Sequence, residues 1–519
     1  MLLKKLSALS ENQLQKLITL LGVLIACQVI HIQHGWINDD SVLYFEMARL
    51  FSMGEWKQGV ALFNWPLYPA LISVVHQLTQ FEIQTSAQIL NVLFFAITTY
   101  SFISLIRLAG GDKITILCGG FLLLSSSYIV GDVLPMLMRD QGFWAMFLAS
   151  LVYFIQFYRH KKLRHALLWQ TCAILAVLFR IEAITFLLCL PFALFQQREF
   201  TIKQKLTHFF QINLLPIFVL VLVLGTLPLV PSVHLSDFGR LQEVVTIIPR
   251  MLTDVAQTFN SKANIMSEKV LGGFLENYGM MGIFVSLTFI VIFKVISLIG
   301  WPVAGIIALS RNIGSSTQLM QQDTRVVLYW TSALALLNAG VIIASVFVLS
   351  SRYIIALGLI LHIFAAFYLA SITEKVRSKQ IKKPWQKILL FIFLALLTFS
   401  AIKNILPKRA GYNFEQDAVA YLKHQQIPNN KVFFVTPRSR YYAGAPYAGR
   451  GYVYWDYMLT AVTDGSIYQY DYLAINLDID EQYPTREKIL SQKLPQYKVV
   501  KEFYGLRNKK KIMLFEKNK

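Results

Sequence analysis

LITLLGVLIACQVIHIQ, residues 17–33, is followed directly by HGWINDDSVLYFEMARLF, residues 34–51. A membrane-spanning helix needs about 20 consecutive, mostly apolar residues, so the first run predicts a transmembrane span. The second run places two adjacent carboxylates, Asp39 and Asp40, where the chain leaves that span. Apolar residues then recur at roughly helical spacing, which predicts an amphipathic helix lying at the membrane interface.

The composition of the whole chain is that of a membrane protein. Of its 519 residues, 55% are hydrophobic and only 15% are charged, whereas soluble domains average about 25% charged residues. The net charge of +20 does not indicate a nucleic-acid partner, because the basic residues lie mostly in short loops between apolar runs. Such loops are typical of the cytoplasmic side of a membrane protein. The composition therefore predicts a lipid bilayer as partner and no nucleic acid.

The apolar runs predict about eleven transmembrane helices. The weakly bounded ones are the pair around Arg180, which could form one interrupted helix, and 281–309, which is long enough to be tilted or broken. The predicted spans are 17–33, 86–106, 114–131, 141–158, 166–180, 183–196, 209–230, 281–309, 326–349, 353–372 and 387–403.

Basic loops predict the orientation of these helices. Residues 158–165, 198–205 and 373–387 are strongly basic, which favours the cytoplasmic side. The segments 34–85 and 231–280, the latter containing an amphipathic stretch at 242–259, then face the opposite side. We therefore predict a multi-pass protein of the inner (cytoplasmic) membrane, with its active site and C-terminus extracytoplasmic.

The last part of the chain changes character. Alternating strand-like and helix-like patterns from Asn413 onward predict a helix at 414–425, strands at 431–436 and 470–477, and a helix at 485–494. A closing hairpin is predicted after them. We predict two domains, a membrane domain at 1–405 with interfacial helices in its two large outer loops, and an extracytoplasmic α/β domain at 406–519. The four cysteines lie in apolar runs and predict neither disulfides nor a zinc site.

Charged residues interrupt the apolar runs at several points, and most of these points fall on the predicted outer side. Ionised side chains near hydrocarbon are costly and usually mark a polar, functional cavity. A carboxylate there can accept a proton from an attacking hydroxyl, and arginines can bind a phosphate. The candidate residues are Asp39, Asp40, Arg139, Asp140, Arg180, Glu182 and Arg352.

The stretch DDSVLYFEMARLFSMGEW, followed by FNWPLYPALIS, resembles the first outer loop of the glycosyltransferase C superfamily. The closest pattern is that of the protein O-mannosyltransferases and lipid A aminoarabinose transferases, the family 39-type enzymes. Asp40, Tyr44 and Ala48 fit the spacing of the catalytic aspartate and the helix that follows it. Tyr68, in PLYP, fits the second element. RDQ around Asp140, FRIEA around Arg180, and SRYIIAL around Arg352 resemble three further family segments.

The resemblance implies an inverting transfer of a sugar from a polyprenyl-phosphate donor to a lipid, protein or envelope-glycan acceptor. It implies Asp40 as the general base, with Asp39 supporting it or holding a metal. Arg352, with Arg139 or Arg180, would bind the donor phosphate, while Asp140 orients the acceptor or a cation. A divalent metal at Asp39, Asp40 or Asp140 stays open, because Asn64 stands where the aminoarabinose enzymes carry an acid.

Structural roles are the alternative for each motif. The aspartate pair could lie in a solvated loop or cap the following helix, and Asp140 could cap the fourth span. Arg180 and Glu182 could simply bridge each other, and Arg352 could anchor a helix at the interface. The aromatic run at 440–457 could be a sugar platform or ordinary domain core.

Two rival functions remain at this point. A lipid-linked glycan ligase or polymerase typically has one very large outer loop rich in Arg and His, and the segment 231–280 is modest in size. A secondary transporter would have inverted repeats and broken helices at the membrane midplane, and the sequence has no detectable repeat. The transferase is therefore favoured over both.

Overall fold

The computed structural model describes residues 9–33, 37–226, 255–314, 320–381, 383–407, 411, 413–449 and 454–518 of the chain. Most of these residues are helical, and a small sheet lies near the C-terminus. The chain divides into two compact units. The first comprises Met1–Val29, Ile89–Leu134 and Arg139–Ile405, and the second comprises Ile30–Gln88, Pro135–Met138 and Leu406–Lys519.

The second unit contains the first large loop as well as the C-terminal part of the chain. From the sequence, that loop (34–85) is predicted to belong to the membrane domain. The predicted boundary between the two domains at 405/406 stays a prediction. The predicted amphipathic stretch at 242–259 lies outside the described residues up to position 254, and so do His34, Gly35 and Trp36.

Helices account for nearly all of the regular structure before residue 406. In chain order they are α1 Glu11–Ile32, α2 Asp39–Ser52, α3 Trp56–Leu62, α4 Leu67–Thr79, α5 Ile83–Leu108, α6 Lys113–Leu124, α7 Asp140–His160, α8 Leu163–Phe179, α9 Ile184–Cys189, α10 Ile202–Ile212, α11 Leu214–Thr226, α12 255–265, α13 Gly279–Ile299, α14 Trp301–Ile313, α15 Gln322–Val346, α16 Ser351–Arg377 and α17 Pro384–Ile405. A π-helix, Ser127–Val133, follows α6, and short 3₁₀ turns, Ile181–Ala183 and Leu190–Gln196, flank α9.

Seven helical segments in the described part of the chain are long and apolar enough to cross a membrane. They are Glu11–Ile32, Ile83–Leu108, Lys113–Val133, Glu276–Ile299, Gln322–Val346, Ser351–Arg377 and Pro384–Ile405. Each overlaps a predicted span, so the prediction of a multi-pass membrane protein is confirmed. The count of eleven spans and the extracytoplasmic orientation stay predictions. The predicted span at 281–309 is broken at Gly300, whose φ of +85° ends α13 and lets α14 begin in a new direction.

Helix α16 lies at the centre of the first unit. It packs against α6, α13, α14 and α15, and its apolar window is 83% buried. Close approach depends on Gly358, where a Cβ would lie 2.6 Å from Leu298 Cδ2. A helix that is apolar around most of its circumference belongs in the interior of a bundle. Arg352 lies at the N-terminus of this helix.

The C-terminal part of the second unit is an α/β fold, as the sequence predicts. Its strands are β1 Val432–Phe434, β2 Tyr472–Asp478, β3 Tyr497–Tyr504 and β4 Lys510–Lys517. They form one sheet in the order β1-β2-β4-β3, parallel between β1 and β2 and antiparallel elsewhere. Its helices are α18 Phe414–His424, α19 Pro437–Ala443, α20 Tyr454–Thr463 and α21 Tyr483–Lys493. Hydrophobic clusters cover both faces of the sheet, one against α18 and α19 and the other against α20 and α21.

Helix α2 belongs to the same unit and packs against α3, α4 and α19. Its apolar residues Val42, Phe45, Leu50 and Phe51 are buried, as are most of its other side chains. Glu46 and Arg49 pair across one turn of its more exposed face, 2.7 Å apart. The predicted amphipathic helix at 41–51 is confirmed, and its position at a membrane interface stays a prediction.

Candidate active site

In the first unit, Asp140 lies at the centre of a buried cluster of charges. Its side chain is 1% exposed, and it sits at the first position of α7. Arg180 donates to Oδ1. Arg352 donates to both carboxylate oxygens, from Nε to Oδ1 at 3.1 Å and from Nη2 to Oδ2 at 2.7 Å. A buried carboxylate of this kind is stable because each of its oxygens accepts charge-assisted hydrogen bonds.

Arg180 connects Asp140 to a second carboxylate. Helix α8 ends at Phe179, and Arg180 itself is extended, with φ −147° and ψ 123°. The guanidinium reaches Glu182 at 3.1 Å while also holding Asp140, and it stacks over the ring of Tyr353 at 5.2 Å. The expected Arg180–Glu182 bridge is therefore present. It is one part of a larger network that joins the starts of α7 and α16 to the end of α8.

Further arginine charge surrounds this cluster. Arg139 lies close enough to the carboxylates of Asp140 and Glu182 to interact with both through space. Arg352 is 27% exposed and Arg139 is partly exposed, whereas the side chain of Arg180 is 4% exposed. The buried carboxylate of Asp140 holds the partly exposed guanidinium of Arg352 in place, and such a guanidinium suits an anionic ligand.

In the second unit, Asp39 belongs to another network. Its Oδ1 lies 3.3 Å from Nε of Arg438, and its Oδ2 accepts a hydrogen bond from the hydroxyl of Tyr454. Arg438 also binds Glu415 in a bidentate pair, with both N–O distances 2.8 Å. Nδ2 of Asn476 donates to Oε1 of Glu415 at 3.0 Å. The first turn of α2 is therefore tied to α18, α19, α20 and β2.

Burial sets the protonation behaviour of this second network. Burial raises the pKa of Glu415 above its ordinary value, although the Arg438 guanidinium beside it acts in the opposite direction. Burial lowers the pKa of Arg438, but the Glu415 and Asp39 carboxylates outweigh that effect and raise it overall. The pKa of the Tyr454 hydroxyl is raised by burial and by the Asp39 carboxylate. Arg438 and Tyr454 therefore stay protonated near neutral pH, Arg438 as the cation that pairs with Asp39 and Tyr454 as a hydrogen-bond donor to it.

The cap of α2 is Asn38, not an aspartate. Its side-chain oxygen accepts a hydrogen bond from the backbone N–H of Asp40 at 3.3 Å, and its own backbone N–H donates to the hydroxyl of Ser41 at 3.2 Å. The capping role that the sequence analysis considered for Asp39 and Asp40 is thus filled by their neighbour. Both carboxylates lie in the first turn, where the helix dipole favours negative charge.

Tyr44 and Tyr68 come together as the sequence pattern suggests. Tyr44 lies one turn after Asp40 on α2, and Tyr68 lies at the start of α4. Their rings meet edge to face, with centroids 5.4 Å apart, and both residues are nearly fully buried. The two tyrosines therefore fix the packing of α4 on α2, which makes them supports of the first turn of α2.

The predicted site residues thus fall into two groups. Asp140, Arg139, Arg180, Glu182 and Arg352 form one network in the first unit. Asp39, Asp40, Tyr44 and Tyr68 lie in the second unit. The sequence does not reveal the partners of Asp39, which are Arg438 and Tyr454, nor the carboxylate and amide of Glu415 and Asn476 behind Arg438. The one sequence feature that could have pointed to this network is the aromatic run at 440–457, because it contains Tyr454.

The divalent metal considered from the sequence at Asp39, Asp40 or Asp140 stays a prediction. The described residues form no group of three or more His, Cys, Asp or Glu side chains that could hold an ion. Asp140 is engaged by two arginines, and Asp39 by Arg438 and Tyr454. A cation at either of these two carboxylates would lie against a guanidinium.

Comparison with known proteins adds no further constraint. No protein-family model matches the chain, and no curated protein matches it in sequence. The two charged networks and the apolar helices are consequently the observations from which a function has to be inferred.

Proposed function

We propose that the chain is an inverting membrane glycosyltransferase that moves a sugar from a polyprenyl-phosphate donor to an acceptor hydroxyl outside the cytoplasmic membrane. The observation that carries the proposal is the Asp140–Arg180–Arg352 network in the first unit. The resemblance of residues 39–73 to the first outer loop of the glycosyltransferase C superfamily supports it as well.

The network of the first unit suits the donor. A polyprenyl-phosphate donor keeps its tail in the bilayer, so its phosphate needs a cationic group close to apolar helices. Arg352 stands at the start of the buried helix α16 and has a partly exposed guanidinium. Asp140 fixes its orientation, while Arg139 and Arg180 add positive charge. Guanidinium groups stabilise the phosphate that departs, in the same way as other preorganised donors stabilise developing charge.

The first turn of α2 suits the acceptor. Asp40 would accept the proton of the acceptor hydroxyl while the hydroxyl oxygen forms a bond to the anomeric carbon. The bond between that carbon and the phosphate oxygen breaks in the same displacement, and polyprenyl phosphate leaves with the electron pair. One displacement inverts the configuration of the anomeric carbon. Asp39, held by Arg438 and Tyr454, keeps the first turn of α2 in place.

Transfer with purified protein tests this proposal. Radiolabelled sugars on synthetic polyprenyl phosphate would be incubated with envelope extract and full-length protein in nanodiscs. We expect label transfer by the wild type and by Glu46→Gln, a control that removes a carboxylate from the more exposed face of α2. Asp40→Asn should abolish transfer, and EDTA should leave it unchanged. Full activity of Asp40→Asn would refute the general base, and no transfer from any donor by folded wild-type protein would refute the proposed activity.

A further inference from the structure

A cavity of about 250 Å³ lies in the C-terminal part of the second unit. Its lining includes Glu415, Arg438, Asn476, Tyr454, Trp455 and Arg486. The aromatic run at 440–457 contributes Tyr454 and Trp455 to this cavity. It shares Arg438 and Tyr454 with the network that holds Asp39, so it adjoins the residues that position the first turn of α2.

We propose that this cavity binds a single neutral sugar residue of the acceptor. That the sugar belongs to the acceptor rests on the proposed function, whereas the presence of a sugar site rests on the chemistry of the lining. A sugar hydroxyl both donates and accepts hydrogen bonds, so a sugar site has to offer donors and acceptors close together.

The polar lining meets that requirement. Arg438 supplies N–H donors, and Glu415 supplies carboxylate acceptors. Oδ1 of Asn476 is buried and accepts no hydrogen bond from any residue that the structure describes. A buried acceptor without a donor costs free energy, so a ligand hydroxyl that reached this atom from the cavity would be bound favourably.

The aromatic lining supplies the other half of a sugar site. Trp455 is half-buried, and its ring lies 5.9 Å from the guanidinium carbon of Arg486. The C–H face of a sugar ring packs well on a large aromatic ring, while its hydroxyls point to polar groups at the edge. A lipid tail would not suit the cavity, because charged and amide groups form so much of its lining.

The pairing of charges argues for a neutral sugar and against a phosphate. Arg438 is bound by Glu415, and Arg486 lies 3.2 Å from Asp480. Lys510, a further lining residue, lies 3.2 Å from Asp478. Each cation of the lining thus already has a carboxylate partner. An incoming phosphate would have to displace one of these partners, whereas a neutral hydroxyl would share their hydrogen bonds.

Saturation-transfer difference NMR on the full-length protein in nanodiscs tests the site without any donor. The probes are methyl α-glucoside, methyl α-mannoside and methyl β-N-acetylglucosaminide, with glucose 1-phosphate as the charged comparison. We expect at least one neutral glycoside to bind the wild type at millimolar concentration. Trp455→Ala and Asn476→Leu should each weaken that binding at least fivefold. Trp385→Ala, which alters an exposed tryptophan of α17, should not.

Other outcomes separate the sugar site from the transferase. No binding of any glycoside to the folded wild type, or binding that is insensitive to both cavity variants, would overturn the site. Tighter binding of glucose 1-phosphate than of every neutral glycoside would replace it with an anion site. Asp40→Asn should bind the glycosides as the wild type does. The sugar site would therefore stand even if the transfer assay showed that a residue other than Asp40 is the general base. Trp455 lies in α20 and Asn476 in β2. If one of the two cavity variants fails to fold, glycoside binding by the other variant still tests the site.

Discussion

Replacing Arg438 with methionine is the sharpest test of the network in the second unit. Arg438 makes two contacts of 2.8 Å with Glu415 and one of 3.3 Å with Asp39. Methionine keeps most of the apolar stem but removes the charge and every donor. Among the described residues, Glu415, whose side chain is 6% exposed, would keep the hydrogen bond from Asn476 alone. Asp39 would likewise keep that from Tyr454.

The expected loss of stability follows from these contacts. Removing one partner of a buried ion pair typically costs about 3–5 kcal/mol. We expect the lower end, about 3 kcal/mol, because Asp39 is 23% exposed and can be hydrated, and because Asn476 still donates to Glu415. Since 1.36 kcal/mol corresponds to a factor of ten, local opening of the domain should become roughly a hundredfold more frequent.

The loss should depend on pH with a definite sign. Burial already raises the pKa of Glu415 in the folded protein, and the loss of the guanidinium raises it further. A carboxyl whose folded pKa exceeds its unfolded value binds more protons in the folded state, so stability falls as pH rises through that window. The loss of stability caused by Arg438→Met should therefore be small at about pH 4 and reach its full size at neutral pH.

Hydrogen–deuterium exchange of the full-length protein in nanodiscs measures the loss of stability and its pH dependence, with intrinsic exchange rates corrected for pH. The readout is the protection of α18, which carries Glu415. Lys498→Met is the control, because Lys498 is 62% exposed and pairs with Glu516 at 3.4 Å; such pairs contribute about 0–1 kcal/mol. The double variant Arg438→Met/Glu415→Gln should recover much of the protection. Unchanged protection of α18 in Arg438→Met, or a penalty that grows toward acid pH, would refute the reasoning.

Three further substitutions have defined outcomes. Asp140→Asn should lower the thermal stability of the purified protein, by about 3–5 kcal/mol, because Arg352 loses its buried counter-charge and Arg180 loses one of its two carboxylate partners; an unchanged melting midpoint in detergent would contradict it. Asp112→Ala should cost about 1 kcal/mol, seen as faster exchange at the start of α6, because Asp112 accepts from the amide of Thr115 at 2.8 Å. Gly411→Ala should cost about 1–3 kcal/mol, since φ is +86° and the new Cβ would lie 2.9 Å from the carbonyl carbon of Gly505. Gly340→Ala, which meets open space, is its matched control, and equal melting midpoints for the two would contradict the strain at 411.

Much of the fold could be predicted because it depends on local patterns. Apolar length predicts membrane spans whatever their neighbours are, and each of the seven long apolar helices overlaps a predicted span. Period-two and helical patterns also predict α18, α21 and the four strands after residue 413, since each face of that small sheet is covered, but they do not predict α19 and α20. The break at Gly300 was less certain from sequence, because a glycine inside an apolar run either continues the helix or takes a positive φ.

Pairing of charges could be predicted in kind but not in detail. Arg180 and Arg352 lie in or beside apolar segments, and a buried arginine requires an acidic partner. Asp140 or Glu182 is therefore predicted to bind an arginine. That Asp140 binds both Arg180 and Arg352 could not be predicted, because the pairing depends on how α7, α8 and α16 pack. The residues of the pair Asp140 and Arg352 are 212 positions apart in the chain.

The network around Asp39 shows the limit of pattern reasoning more clearly. Glu415 stands in the first turn of an amphipathic helix, where an acid usually faces water and favours the helix dipole. Arg438 follows Pro437 at the start of α19, a position without any local constraint on its side chain. Only the packing of α18 and α19 on one face of the sheet buries both residues. The burial of Glu415 then requires Arg438, and the remaining contact of Arg438 reaches Asp39. A single substitution at Arg438 should consequently disturb both the fold of the C-terminal part and the first turn of α2, whereas Asp40→Asn should disturb only the proposed chemistry.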